Sequence, residues 1–129
     1  MRSQEKIQAK LDKYTREREV LLGQLSQIGF IWHGTVHRSL LTCGRSACRC
    51  HEDPKARHGP YPYWTTKVAG KTVSRLLPSA EADLIEEWIE NRRRIDRIVR
   101  DLKALSAKAA PLVLKLRSIA DAHQRKAAS

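Results

Sequence analysis

The chain has 129 residues and a formal net charge of +11 at pH 7; 41% of its residues are hydrophobic, 5% aromatic and 30% charged. That balance excludes a large globular core, because heavily charged chains rich in Leu and Ile bury narrow helical seams instead. No stretch approaches the roughly 18–20 apolar residues that a membrane span needs, so no membrane partner is expected.

The first predicted element runs from Ser3 to Ile28, where Ile7, Leu11, Tyr14, Leu21, Leu25 and Ile28 recur at spacings of three and four or their sums. Arg18 falls where the missing member would stand. This is an amphipathic helix, with Gly29 placed to end it. The opening Met1-Arg2-Ser3-Gln4-Glu5-Lys6 leads into this charged segment without an apolar signal core, and a cytoplasmic protein is expected. Residues 1–32 form the first of three expected regions.

Residues 33–78 change character: they hold all three Cys, four of the five His and four of the five Pro. Thr35–Leu41 reads as a strand, Tyr61–Val68 as a second and Lys71–Leu77 as a third. Ala69-Gly70 supplies the reversal between the last two. A three-stranded antiparallel meander is predicted. Tyr61 and Tyr63, on one pleat face, are assigned to its core in preference to a binding surface.

Residues 79–129 form the third region. Ser79 is the expected N-cap, with Glu81, Asp83, Glu86 and Glu87 where the helix dipole favours negative charge. The seam Ile95, Ile98, Leu102, Leu105, Ala109, Leu112, Leu116, Ile119 alternates threes and fours in coiled-coil fashion. Pro111 interrupts it at a cost of about 3 kcal/mol, predicting a kink or short break. The helix is expected to reach about Ala122, with residues 123–129 frayed. The predicted fold class is therefore α+β, and the two helical seams are expected to pair antiparallel within a chain that forms a homodimer.

An odd, tightly clustered cysteine set fits poorly with a disulfide framework. The spacing is Cys43-x4-Cys48-x-Cys50-x7-His58. Zinc takes four thiolate or imidazole donors in a tetrahedron, and Gly44 and Ser46 permit the turn that would fold the cysteines round one ion. His58 is the preferred fourth ligand, because it closes the site from a second loop beside Gly59-Pro60. His51 adjoins Cys50 and is the alternative; His33 and His37 are also within reach. A zinc staple would stabilise so short a β-unit. Three thiols in an Arg-rich loop without metal, or one activated nucleophile beside Arg45 and Arg49, are the competing readings.

At this motif the chain resembles a family of small, uncharacterised bacterial proteins, often encoded near integrases and transposases of mobile elements. The resemblance is carried by Gly34-Thr35-Val36, Cys43-Gly44-Arg45, Cys48-Arg49-Cys50, His58-Gly59-Pro60-Tyr61-Pro62-Tyr63-Trp64 and Gly70-Lys71-Thr72. It covers about residues 34–77 and the following helix. What it implies is association with DNA recombination or transposition, with an integrase or transposase as partner.

Basic charge concentrates in the middle region, with eight basic and two acidic side chains in residues 33–78. Arg38, Arg45, Arg49, Lys55, Arg57, Lys67, Lys71 and Arg75 are candidate phosphate contacts there, double-stranded DNA being preferred over single strands. Arg93, Arg97 and Arg100 form a second candidate ridge on one helical face. The solvated flank of a coiled coil is its bland equivalent. No Gly-rich phosphate loop, Ser/His/Asp grouping or H-E-x-x-H motif is present, so no enzyme is expected. The favoured reading is a zinc-stapled DNA-binding accessory protein. The alternatives are a coiled-coil adaptor for a protein partner and a zinc- or thiol-dependent enzyme such as a nuclease.

Overall fold

The computed structural model describes residues 2–128. It is an α+β fold in the order α1 (Arg2–Ser26), β1 (Thr35–Leu41), β2 (His58–Val68), β3 (Lys71–Leu76) and α2 (Ser79–Ala128). Two short 3-10 turns, Arg49–His51 and Pro54–Ala56, lie between β1 and β2. The chain divides into two compact units: residues 29–93, and residues 1–28 with 94–129.

The first unit is a three-stranded antiparallel sheet, order β1-β2-β3, packed on the first turns of α2. Its core is Leu77, Ala82, Ile85 and Ile89, against which Val36, Trp64 and Trp88 pack. Val36 pairs with Trp64 and Arg38 with Pro62 across β1 and β2, so these four share the pleat face turned to α2. The Trp64 indole N–H donates to the His33 carbonyl at 2.9 Å, which satisfies its one polar atom.

The tyrosines are therefore out of phase with the predicted core. Pro62 is buried, whereas Tyr61 is 38% exposed. Tyr63 stacks on His37 on the outer face, with ring centroids 5.7 Å apart. The residues carrying most apolar surface, Trp64 and Val36, take the side covered by the helix, and strict alternation then turns Tyr61 and Tyr63 away.

Ala69 and Gly70 both have positive φ, 52° and 80°, as a two-residue hairpin turn of the primed type requires. Gly34 is needed for space as well as for its φ of 85°, since a Cβ there would stand 2.6 Å from the Thr65 carbonyl oxygen.

In the second unit, the predicted seams are the covered faces. Ile7 and Leu11 of α1 and Ile98 and Leu105 of α2 are buried. Leu11 shares a groove with Ala109 and Val113, and Gln24 shares one with Arg94 and Ile98, so the two helices run antiparallel.

Several boundary expectations need correction: β2 begins at His58 and not Tyr61, and β3 ends at Leu76 and not Leu77. α1 stops at Ser26, short of Gly29, because Gln27 and Ile28 turn into 3-10 bonds to the Gln24 and Leu25 carbonyls. Beyond it, Asn91 Nδ2 donates to the Phe30 carbonyl at 2.8 Å, holding an extended connection. Ser79 is the first helical residue and not the cap, since the Pro78 carbonyl accepts the Ala82 N–H. Finally, of the kink or break expected at Pro111 the break is absent, and α2 runs through it to Ala128, past the expected end near Ala122. A proline forfeits one bond in a ladder of 50 residues, and the surrounding turns, rich in Ala and Leu, keep theirs.

Candidate metal centre

The site is built from one loop and one strand end. β1 and β2 keep strict register from Thr35↔Thr65 to Ser39↔Tyr61, then slip, so that Leu41 faces His58. This bulge sets the first residue of β2 beside the chain just before Cys43. Gly59, with φ 116°, follows at once, and a Cβ there would lie 2.7 Å from the Ser39 carbonyl oxygen.

The loop is organised around the Arg45 carbonyl. That oxygen accepts the Cys48 N–H at 3.1 Å and faces His51 Nε2 at 2.8 Å and Cys43 Sγ at 3.8 Å. The first 3-10 turn then carries Cys50 inward, to 2% exposure. Asp53 caps the second turn, accepting the Lys55 N–H at 2.9 Å, and its other oxygen meets Arg49 at 3.4 Å. The Asp53-Pro54 pair is a turn signal legible in the sequence. The Arg45 carbonyl leaves no such signal, because any residue supplies one.

The ligating atoms of Cys43, Cys48, Cys50 and His58 all lie within 4.8 Å of one another. Cys50 Sγ is 3.7 Å from Cys43 Sγ, and Cys48 Sγ is 3.4 Å from His58 Nε2. Geometry decides what such a cluster can hold. The edge of a tetrahedron is about 1.63 times its centre-to-corner distance, so a zinc with Zn–S near ~2.3 Å and Zn–N near ~2.0 Å needs edges of about 3.5–3.8 Å. Two of the donor pairs, at 3.4 and 3.7 Å, stand close to those edges, and the donor types suit one soft or borderline metal ion.

The other three candidate histidines are otherwise engaged. His51 is turned to the Arg45 carbonyl, His37 to Tyr63 and Thr65, and His33 to Trp32 and Trp64.

The thiols differ in acidity. A hydrogen bond from the Cys50 N–H, reinforced by His58, lowers Cys48 to about 6. At Cys50 the strongest influence, the Cys43 N–H donated at 3.3 Å, also lowers. Burial and the neighbouring Cys48 and Cys43 sulfurs outweigh it and push Cys50 above its ordinary value. A bound cation would compensate that crowding of thiolates.

Residues 5–87 match the family described as Domain of unknown function (DUF6788). The chain belongs to that family. The match takes in the whole Cys/His loop, the sheet and the start of α2, so the candidate metal centre lies inside the DUF6788 region. No curated protein and no solved structure matches the chain.

The candidate phosphate contacts differ in how far they are already engaged within the chain. Arg38 sits on the helix-facing side of the sheet, paired with Glu86 and, at 3.2 Å, with Asp83. Arg75 lies over the Trp64 ring, 5.7 Å from its centroid. Arg49 pairs with Asp53, Arg93 with Glu90 at 3.8 Å and Arg100 with Asp101 at 4.0 Å. Arg97 is exposed on the same ridge of α2. Arg45, Lys55, Arg57, Lys67 and Lys71 are exposed, and no carboxylate among the described residues forms an ion pair with them. No helix among the described residues is long and apolar enough to cross a membrane.

Proposed function

We propose that the chain is a zinc-stapled, non-enzymatic protein that binds duplex DNA in the cytoplasm. The observation that carries the metal half is the convergence of three sulfurs and one imidazole nitrogen within 4.8 Å of one another. Zinc is chosen over other ions because three thiolates and an imidazole filling all four positions make a closed structural site, with no position left for substrate. The DNA half rests on the five unpaired cations on the loop and on the β2–β3 hairpin. A phosphate that displaces counterions there need not first break a protein ion pair.

The same reading makes Arg38 and Arg75 structural, because one is engaged by two carboxylates and the other lies over an indole ring. A role beside an integrase or transposase of a mobile element follows from the resemblance in residues 34–77. Binding of a duplex fragment by the metal-loaded protein at two salt concentrations tests the proposal. Affinity should fall steeply as salt rises, and the slope should flatten when Arg57, Lys67 and Lys71 are replaced together by Ala. A protein that ignores duplex DNA at low salt contradicts it.

One observation favours the adaptor reading as a second possibility: α1 and α2 leave Val20, Val113 and Leu114 more than half exposed along their paired length. Capture of a protein partner by the full chain, unaltered by nuclease treatment, would support it.

A further inference from the structure

Two of the grooves between α1 and α2 differ in charge pattern. One is lined by Leu11, Tyr14, Leu102 and Val113 among others, with Arg18 its single charged residue. The other, about 360 Å³, is lined by Glu17, Val20, Leu21, Asp101, Ala104, Leu105 and Lys108. Two helices alone cannot enclose a core. Leu105 is buried between them, but Val20 on the same wall is 60% exposed.

The α2 wall of the second groove is complementary to itself. Asp101 and Lys108 stand two helical turns apart, and the midpoint between them falls between Ala104 and Leu105. A two-fold axis through that midpoint sets α2 antiparallel to its copy and places each Asp101 against the partner's Lys108, twice over. Ala104 at the axis is small enough for close helix approach. Both charges are open to a partner. Asp101 is 60% exposed with Arg100 only at 4.0 Å, and Lys108 forms no ion pair among the described residues. The first groove has no such symmetry, because Arg18 finds no carboxylate in it.

We infer that this groove, centred on Ala104 and Leu105, is the surface on which a second copy of the chain docks, giving a four-helix bundle of two antiparallel pairs. Val20 and Leu21 of each copy cover the partner's groove. The arrangement is independent of the metal centre and of DNA.

Charge reversal in full-length protein tests it, with sedimentation as the readout and helicity checked by circular dichroism. Wild type should be a dimer. Asp101→Lys alone and Lys108→Asp alone each set like charges opposite one another, and each should raise the dimer Kd at least ~10-fold. Mixing the two variants restores both pairs and should yield a heterodimer of near wild-type affinity. The double variant in one chain should pair with itself and not with wild type, which keeps the test valid if either single variant folds poorly. A monomeric wild type overturns the inference and leaves the groove to a foreign helix. Single variants that dimerise as tightly as wild type, with no preference for the mixture, overturn the proposed axis.

Discussion

His58 Nε2 lies 3.4 Å from Cys48 Sγ, which joins the first residue of β2 to a loop residue ten positions before it. The contact depends on the slip in register after Ser39. Sheet geometry and ligand geometry are thus one feature, and disturbing either should disturb the other.

The ligand set makes a graded prediction. Cys50→Ala or His58→Ala should abolish tight metal binding and lower the melting temperature by roughly 10 °C or more, taking ~4–8 °C per kcal/mol for a domain this small. His51→Ala and His37→Ala should leave the metal in place. Metal content and thermal melts on the same samples check this, and loss of metal in the His51 variant would reassign the fourth ligand.

In the metal-free, reduced protein the thiols should titrate apart. Cys48, lowered to about 6, should be alkylated readily at pH 7 and progressively less as pH falls through 6. Cys50 should react only above its ordinary range. The sign for stability follows from the lowered folded value. The contribution of the Cys48 thiolate is complete above the unfolded value of 9.0 and is lost as pH falls through about 6. Mass-spectrometric alkylation rates across this window measure both. Equal rates at Cys48 and Cys50 would contradict the assignment.

Ala69 occupies a left-handed position that suits Asn or Gly, at φ 52°. Ala69→Asn should stabilise the hairpin by roughly 0.5–1 kcal/mol. Gly34→Ala should act in the opposite direction and cost at least ~2 kcal/mol, since its Cβ meets backbone at Thr65. Urea denaturation of the three proteins side by side provides the comparison.

Arg38 and the exposed cations of the loop and hairpin should separate stability from DNA binding. Arg38→Ala should cost up to ~1 kcal/mol of stability, the usual worth of a part-exposed ion pair, and leave the salt slope of DNA binding unchanged. Each of Arg57→Ala, Lys67→Ala and Lys71→Ala should reduce that slope by up to ~1 with little effect on the melt.

Much of this was legible in the sequence, for physical reasons that differ from element to element. β1 was read to the residue because its β-branched and alternating positions run between Gly34 and the polar Thr42. The seams of α1 and α2 were read from spacing alone, which suffices when one stripe is covered. The Cys/His grouping was visible because the three thiols are close in sequence and His58 stands beside Gly59-Pro60.

What the sequence withheld was set by tertiary contacts. Which pleat face of β2 turns inward depends on Trp64 meeting α2, and local pattern favours the tyrosines equally. That Pro111 sits inside a continuous helix depends on the strength of the ladder around it. The engagement of Arg38 by Asp83 and Glu86 spans 45 residues or more and has no local signature.

The central claim is that four side chains hold one zinc ion. Elemental analysis of protein purified under reducing conditions tests it most directly, with Cys43, Cys48, Cys50 and His58 variants prepared alongside. The account predicts one zinc per wild-type chain and a loss in every one of the four variants. A wild-type chain that carries no metal and takes up none when zinc is supplied would contradict it.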